Sequence, residues 1–391
     1  MSATPQSNPR QPEQKILVRG VNWLGDAVMS TPALLRLREA HPGARITLLT
    51  PEKLKDLWHQ HPAIDQVLTF APKESVWQLG RRLKAEGFDL ALVFPNSPRS
   101  ALEIWLSGAR ERVGYSRPWR NFFLTRKVSP RAEEVKMQKR SLEEINELNR
   151  QAPRSASGNQ VSPRSHHIHQ YLHLTAAIGG NPDPLPPSLA VADEAITKLM
   201  ERFRLGPVSS ATSPWLGLNA GAEYGPAKRW PEDRFAAAAS QIQKLTGGRW
   251  LIFGLKNDAP TAARITAHLQ QAAREQFGAA AESHYPVNLA GVTTLIELCA
   301  ALKLCRAVVT NDSGPMHVAA ALGTPVIVPF GSTSPVLTGP GLPGDSHHRC
   351  LQSPTACAPC FLRTCPIDFR CMLGISTEQV VNAVLDVLRP G

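Results

Sequence analysis

Trp215-Leu216-Gly217-Leu218-Asn219 followed by Ala220-Gly221-Ala222-Glu223-Tyr224-Gly225-Pro226-Ala227-Lys228-Arg229-Trp230-Pro231 is the stretch that decides the fold. The first five residues read as a short buried strand. The loop after them is built of small residues, and its two glycines let backbone come close to a ligand. Lys228 and Arg229 add two positive charges at the same place. Pro231-Glu232-Asp233 then opens a helix, with proline tolerated in the first turn and acids favoured there. A strand, a loop with cations and a helix start make a site for an anion such as a diphosphate. A plain basic surface turn would have the same composition.

Outward from this stretch the chain keeps alternating. Further strands are predicted at Trp250–Phe253, Ala307–Thr310 and Val326–Val328, with helices at Asp233–Leu245, Pro260–Gln276, Leu295–Leu302 and Pro315–Leu322. The first half shows the same rhythm. Ile16–Val18, Ile46–Leu49 and Leu90–Phe94 read as strands, and Ala27–Ala40 has helical spacing. Alternation of this kind argues for parallel sheets with helices on both faces. The fold class is therefore α/β, with two Rossmann-like doubly wound domains. The predicted boundaries are residues 15–180 for the first domain, a proline-rich linker at 181–210, the second domain at 211–375 and a final helix at 376–391. Residues 129–165, polar and sparse in apolar side chains, read as a flexible insertion carrying a short exposed helix at Ser141–Leu148.

Lys and Arg number 43 against 32 Asp and Glu, a formal charge of +11. That surplus suits nucleic acid, an anionic membrane surface or a phosphorylated substrate. Aromatic residues make up 6% and no nucleic-acid module is recognisable, so nucleic acid is not expected. Residues 1–14 are rich in Pro, Ser and Gln and lack a signal peptide's apolar core, and they read as a disordered tail. The longest apolar run, Val318 to Phe330, is too short for a span and is broken by Gly323-Thr324-Pro325. The expected location is the cytoplasm, with the protein resting on the membrane surface.

The segment from Gly221 to Pro231 closely resembles the signature of the heptosyltransferase II branch of ADP-heptose glycosyltransferase family 9. Val21-Asn22-Trp23-Leu24-Gly25-Asp26 and Asn311-Asp312-Ser313-Gly314-Pro315-Met316-His317-Val318-Ala319-Ala320 match in the same order along the chain, and Pro95–Leu102 matches more weakly. The resemblance implies a GT-B architecture, two Rossmann-like domains facing an interdomain cleft, with ADP-heptose on the C-terminal domain and the acceptor on the N-terminal one. It implies an inverting transfer of L-glycero-D-manno-heptose from ADP-heptose onto the first heptose of the lipopolysaccharide inner core, with no cofactor required for catalysis. The partners it implies are ADP-heptose, a lipid-linked inner-core acceptor and peripheral contact with the inner membrane.

Carried over residue by residue, Asp26 is the expected general base, although an aspartate at such a turn often only caps a helix. Lys228 is the expected stabiliser of the leaving ADP, in the absence of an essential metal. Gly221, Glu223, Arg229, Asp258, Asp312, Ser313, Gly314 and His317 are the expected donor-binding residues, with Asp258 on the adenosine ribose and Asp312 accepting from a sugar hydroxyl. Asn96, Ser97 and Arg99 fall on the acceptor side, while Arg117, Trp119 and Arg120 read as solvated surface. Two rivals remain open: a related transferase using another core or glycan acceptor, and a non-catalytic ADP-sugar-binding protein. The joint presence of Asp26 and Lys228 argues against the second.

Of the seven cysteines, Cys299 and Cys305 lie in apolar surroundings and read as packing residues. The other five fall between residues 350 and 371. Cys357, Cys360, Cys365 and Cys371 offer four thiolates in a short segment, as a structural zinc or an iron–sulfur cluster would require. Nothing in the expected transfer uses a thiolate.

Overall fold

The computed structural model describes residues 13–150, 161–206 and 213–389. Most of the predicted tail, residues 151–160 of the predicted insertion and residues 207–210 of the predicted linker lie outside them. The chain forms two compact units, as far as its residues are described. The first gathers Met1–Asn22, Pro32–Ala132 and Gln170–Asp183, and the second Trp23–Thr31, Glu133–His169 and Pro184–Gly391.

In chain order the elements begin with β1 (Lys15–Arg19), α1 (Leu24–Met29), α2 (Thr31–Ala40), β2 (Arg45–Pro51), β3 (Gln66–Phe70) and α3 (Val76–Glu86). Then come β4 (Leu90–Val93), α4 (Pro98–Leu106), β5 (Glu111–Tyr115), β6 (Arg126–Val128), α5 (Leu142–Arg150), α6 (Ile168–Ala176) and α7 (Asp193–Arg202). The six strands of the first unit form one sheet in the order β3-β2-β1-β4-β5-β6, every pair parallel. Leu17, Ala91 and Val93 of its central strands pack with Leu79 and Leu83 of α3 and Ala101 and Ile104 of α4. A buried ionic group is built into this unit: Arg19 Nε lies 2.7 Å from Glu103 and Arg99 Nε 3.1 Å from the same carboxylate. Glu103 is fully buried, and two guanidinium partners offset the cost of removing its charge from water.

The second unit continues with β7 (Trp215–Asn219), α8 (Glu232–Thr246), β8 (Arg249–Phe253), α9 (Ala259–Phe277), β9 (Val287–Asn288), α10 (Leu295–Leu304) and β10 (Ala307–Thr310). It closes with α11 (Gly314–Ala321), β11 (Val326–Phe330), α12 (Pro335–Thr338), β12 (Arg349–Gln352), α13 (Arg370–Leu373) and α14 (Thr377–Leu388). Its sheet runs β12-β11-β10-β7-β8-β9, again all parallel. Counted from each unit's first strand, both sheets have the order 3-2-1-4-5-6 of dinucleotide-binding folds. In such a sheet the order reverses between strands 1 and 4, and a crevice opens there at the strands' carboxyl ends. That places β7 and β10 on either side of the second unit's switch point.

The predicted helix over Ala27–Ala40 is in fact two. Ser30 and Thr31 turn their hydroxyls back onto the carbonyls of Ala27 and Val28 at 2.7 and 2.8 Å, and Pro32 has no N–H to continue the ladder. The break separates α1, which packs with α11 in the second unit, from α2 in the first. The helix expected at Ser141–Leu148 is present as α5. It is not merely a solvated helix, because Ile145 is buried against Cys357 and Cys360, and Arg140 donates to the Ala356 carbonyl at 3.2 Å.

Candidate active site

The carboxyl ends of β7 and β10 are tied together by two asparagines. Asn219 Nδ2 donates to Thr310 Oγ1 and Ser313 Oγ, both at 3.0 Å. Asn311 Nδ2 donates to the Ala220 carbonyl at 2.8 Å, and its Oδ1 accepts from the Trp230 N–H at 2.9 Å. The loop from Ala220 to Trp230 is therefore held at both ends by Asn311, the residue just past β10. Ser313 occupies the N-cap position of α11 but does not cap it, its hydroxyl being engaged by Asn219.

This scaffold brings Lys228 onto Asp312, with Nζ 2.6 Å from Oδ2. Thr333 donates to the same carboxylate oxygen at 2.5 Å. Lys228 also stands 4.8 Å from the centre of the Tyr224 ring, over which the Arg363 guanidinium lies from the cysteine-rich segment at 5.3 Å. That segment fixes the loop directly. Tyr224 donates to the Phe361 carbonyl at 2.7 Å, and the Ala227 N–H to the Arg363 carbonyl at 2.9 Å. Gly225 has φ 152°, and a Cβ there would sit 2.4 Å from the Arg363 carbonyl oxygen. Only glycine fits.

Asp26 is the third residue of α1, whose N-cap position belongs to Trp23, so capping does not explain it. Gly25 lets the helix lie against His317, since a Cβ would come within 2.7 Å of the imidazole. Gly314 does the same for Leu24, at 2.9 Å. Beside them stands His167, a residue the sequence offers no motif to find. Burial pushes its imidazole below its ordinary range, against the attraction of Asp26, Glu134 and Asp312, while Lys228 adds to the lowering. One neutral imidazole thus feels the expected base and both members of the lysine–aspartate pair.

The other expected donor residues fall into two groups. Asp258 accepts from the Leu255 N–H at 3.0 Å and from Arg229 at 3.3 Å, and a Cβ on Gly221 would lie 2.3 Å from its Oδ2. Gly221, Arg229 and Asp258 are therefore one local group, with Glu223 exposed on the loop between them. In the first unit Ser97 caps α4 by accepting from the Ser100 N–H, and Arg99 is engaged by Glu103. Arg120 corrects the expectation of a solvated surface: it is fully buried, donating to the Pro95 carbonyl at 2.9 Å and to exposed Asn96 at 3.0 Å. Trp119, by contrast, is 90% exposed.

The four grouped cysteines do come together. Cys357, Cys360, Cys365 and Cys371 line one small cavity with Ile145, Ala227 and Ser332. Burial raises the Cys357 thiol and pushes Cys371 up to about 11. Among the described residues no group of three or more His, Cys, Asp or Glu side chains is arranged to hold a metal ion. Cys299 and Cys305 are buried, as expected of packing residues.

Four buried histidines make the fold acid-sensitive. Burial pushes His61, His317 and His348 down to about 4 and His166 to about 3, from an ordinary 6.5. The unfolded chain takes up these protons first, so their contribution is complete above the ordinary value and is lost as pH falls from 6.5 towards 4. Urea unfolding at about pH 7 and about pH 5 should show stability falling by on the order of 1 kcal/mol per pH unit for each histidine engaged. A flat profile would contradict it.

The model of glycosyltransferase family 9 (heptosyltransferase) matches residues 151–369. The chain is 30% identical to lipopolysaccharide heptosyltransferase 2 of Escherichia coli K12 over 339 residues, covering 83% of this chain and 85% of that protein. It is 29% identical to lipooligosaccharide heptosyltransferase 2 of Haemophilus influenzae, over 83% of this chain and 85% of the other. Among solved structures, E. coli ADP-heptose lipopolysaccharide heptosyltransferase II superposes with a TM-score of 0.73 at 26% identity, covering 96% and 98% of the two chains.

Proposed function

Because the chain belongs to glycosyltransferase family 9, the heptosyltransferases, we propose that it transfers L-glycero-D-manno-heptose from ADP-heptose onto the first heptose of the lipopolysaccharide inner core. The fold is GT-B. One observation carries the mechanism: α1, which bears Asp26, packs on the start of α11 beside the Lys228–Asp312 pair, at the end of the β7–β10 switch point. In the proposed reaction the Asp26 carboxylate takes the proton of the acceptor hydroxyl as its oxygen attacks the anomeric carbon. The bond from that carbon to the ADP oxygen breaks with inversion, and Lys228 meets the charge that develops on the diphosphate. Asp312 holds Lys228 in place until the donor arrives. Ser313, Gly314 and His317 would border the diphosphate, the group of Gly221, Arg229 and Asp258 with Glu223 the nucleoside, and Asn96, Ser97 and Arg99 the acceptor.

The test is mass spectrometry of core lipid carrying one heptose, after incubation with the protein and ADP-heptose. A gain of one heptose supports the reading. ADP-heptose binding with no gain on this or any other core acceptor would leave a binding protein instead.

Two finer readings accompany this one. No helix among the described residues is long and apolar enough to cross a membrane. A lipid-linked acceptor would bring the enzyme to the cytoplasmic face of the inner membrane as a peripheral protein. The cysteine cavity has the soft donors of a structural zinc or iron–sulfur site, and nothing in the proposed transfer uses a thiolate. Its thiols would have to turn to meet at one point. Metal analysis of protein purified without chelator should find zinc or iron; a metal-free, folded protein would sink that reading.

A further inference from the structure

From Trp105 to Lys127 the first unit carries six cations and one acid, Glu111. The same stretch leaves large apolar side chains in water. Trp119 is 90% exposed, Phe122 82% and Trp105 39%. Three of the rings are contiguous, Phe123 lying 5.7 Å from Phe122 and 5.9 Å from Trp105. Trp119 is also held at φ 64°, a left-handed conformation that a bulky residue adopts only at a cost. Folding has thus spent backbone strain to keep an indole outside the core.

The rest of the stretch explains how the patch is held. Arg112 and Arg120 turn inward. Arg112 Nε donates to the Phe123 carbonyl at 2.9 Å and Nη1 to Ala109 at 2.6 Å, while Arg120 secures Pro95. Arg110, Arg126 and Lys127 remain exposed, Arg126 and Lys127 on β6, the edge strand of the sheet. Arg126 shares its charge with Glu111 at 3.4 Å, which leaves the stretch with a surplus of exposed positive charge. Aromatic rings beside exposed cations fit one partner well. Indole and phenyl groups enter the headgroup layer, and lysine and arginine meet anionic phosphates around them.

We propose that the Trp105–Lys127 edge of the first unit docks on the surface of an anionic phospholipid membrane. The proposal deepens the peripheral location given above, and it names the face. Charge complementarity selects this occupant: a second copy of the same patch would set like charges against each other.

The experiment is flotation of the full chain with vesicles of phosphatidylethanolamine, with and without phosphatidylglycerol, and free of lipopolysaccharide. Protein should float with the anionic vesicles, and less so as salt is raised. Trp119→Ser/Phe122→Ser should weaken that binding by about tenfold or more, and Arg126→Gln/Lys127→Gln should remove much of its salt dependence. Both variants should keep heptose transfer to an acceptor stripped of its acyl chains. Equal binding to vesicles without phosphatidylglycerol, or undiminished binding by the serine variant, would overturn the proposal. So would an equal loss of transfer to the stripped acceptor, which would make the patch part of the acceptor site. Loss of a wild-type dimer in the serine variant would show the patch to be covered by a second copy. Because the vesicle arm needs no turnover, it reads separately from the transferase assignment.

Discussion

Asp26→Asn abolishes heptose transfer and leaves ADP-heptose binding nearly intact: this is the expected result with the largest consequence. Asparagine keeps the volume and loses the ability to accept a proton. A positioned general base is worth about 10²–10⁴ in rate, and turnover should fall by that much. The helix should survive the change, because Asp26 lies within the first turn of α1 and not at its N-cap position. Calorimetry of ADP-heptose binding beside a transfer assay separates the two effects. Turnover close to wild type would remove Asp26 from the role, and a parallel loss of binding would make it a structural residue.

Lys228→Met is expected to harm both turnover and stability, and the two losses can be pulled apart. Removing the cation takes away the charge proposed for the leaving diphosphate, a loss of about 10²–10³ in turnover by analogy with single transition-state donors. It also leaves the Asp312 carboxylate, 4% exposed, with Thr333 as its remaining described partner. Breaking such a buried pair costs about 3–5 kcal/mol, whereas replacing both members by apolar groups is often close to neutral. The double variant Lys228→Met/Asp312→Leu should therefore recover much of the urea midpoint and none of the activity. If the double variant recovered turnover as well, Lys228 would serve the fold and not the reaction.

Much of the architecture was legible before any coordinates. β1, β2, β4, β7, β8, β10 and β11 are buried on both faces, so they appear as short apolar runs that need no partner to be noticed. The edges were harder. β6 is Arg126-Lys127-Val128, β9 is two residues long and β12 begins with arginine, and none carries an alternation that marks a strand. Their strand character comes from the neighbour they pair with. The split between α1 and α2 was hidden for another reason, because hydroxyls that bond back to their own turn leave the apolar spacing of a helix undisturbed.

The same division runs through the site. By itself the sequence determined the α/β class, the loop with its glycines and cations, and the family whose motifs lie in order along the chain. Those are local properties, written in residues within a few positions of one another. Only the tertiary structure decided that Lys228 meets Asp312 across 84 residues, that His167 stands beside Asp26, and that Arg363 and Phe361 of the cysteine-rich segment grip the signature loop. It alone turned Arg120 inward and Trp119 outward, although they are neighbours in the chain. The physical reason is common to all of them. Charge pairing and burial depend on distances between residues far apart in the chain, which packing sets and composition does not.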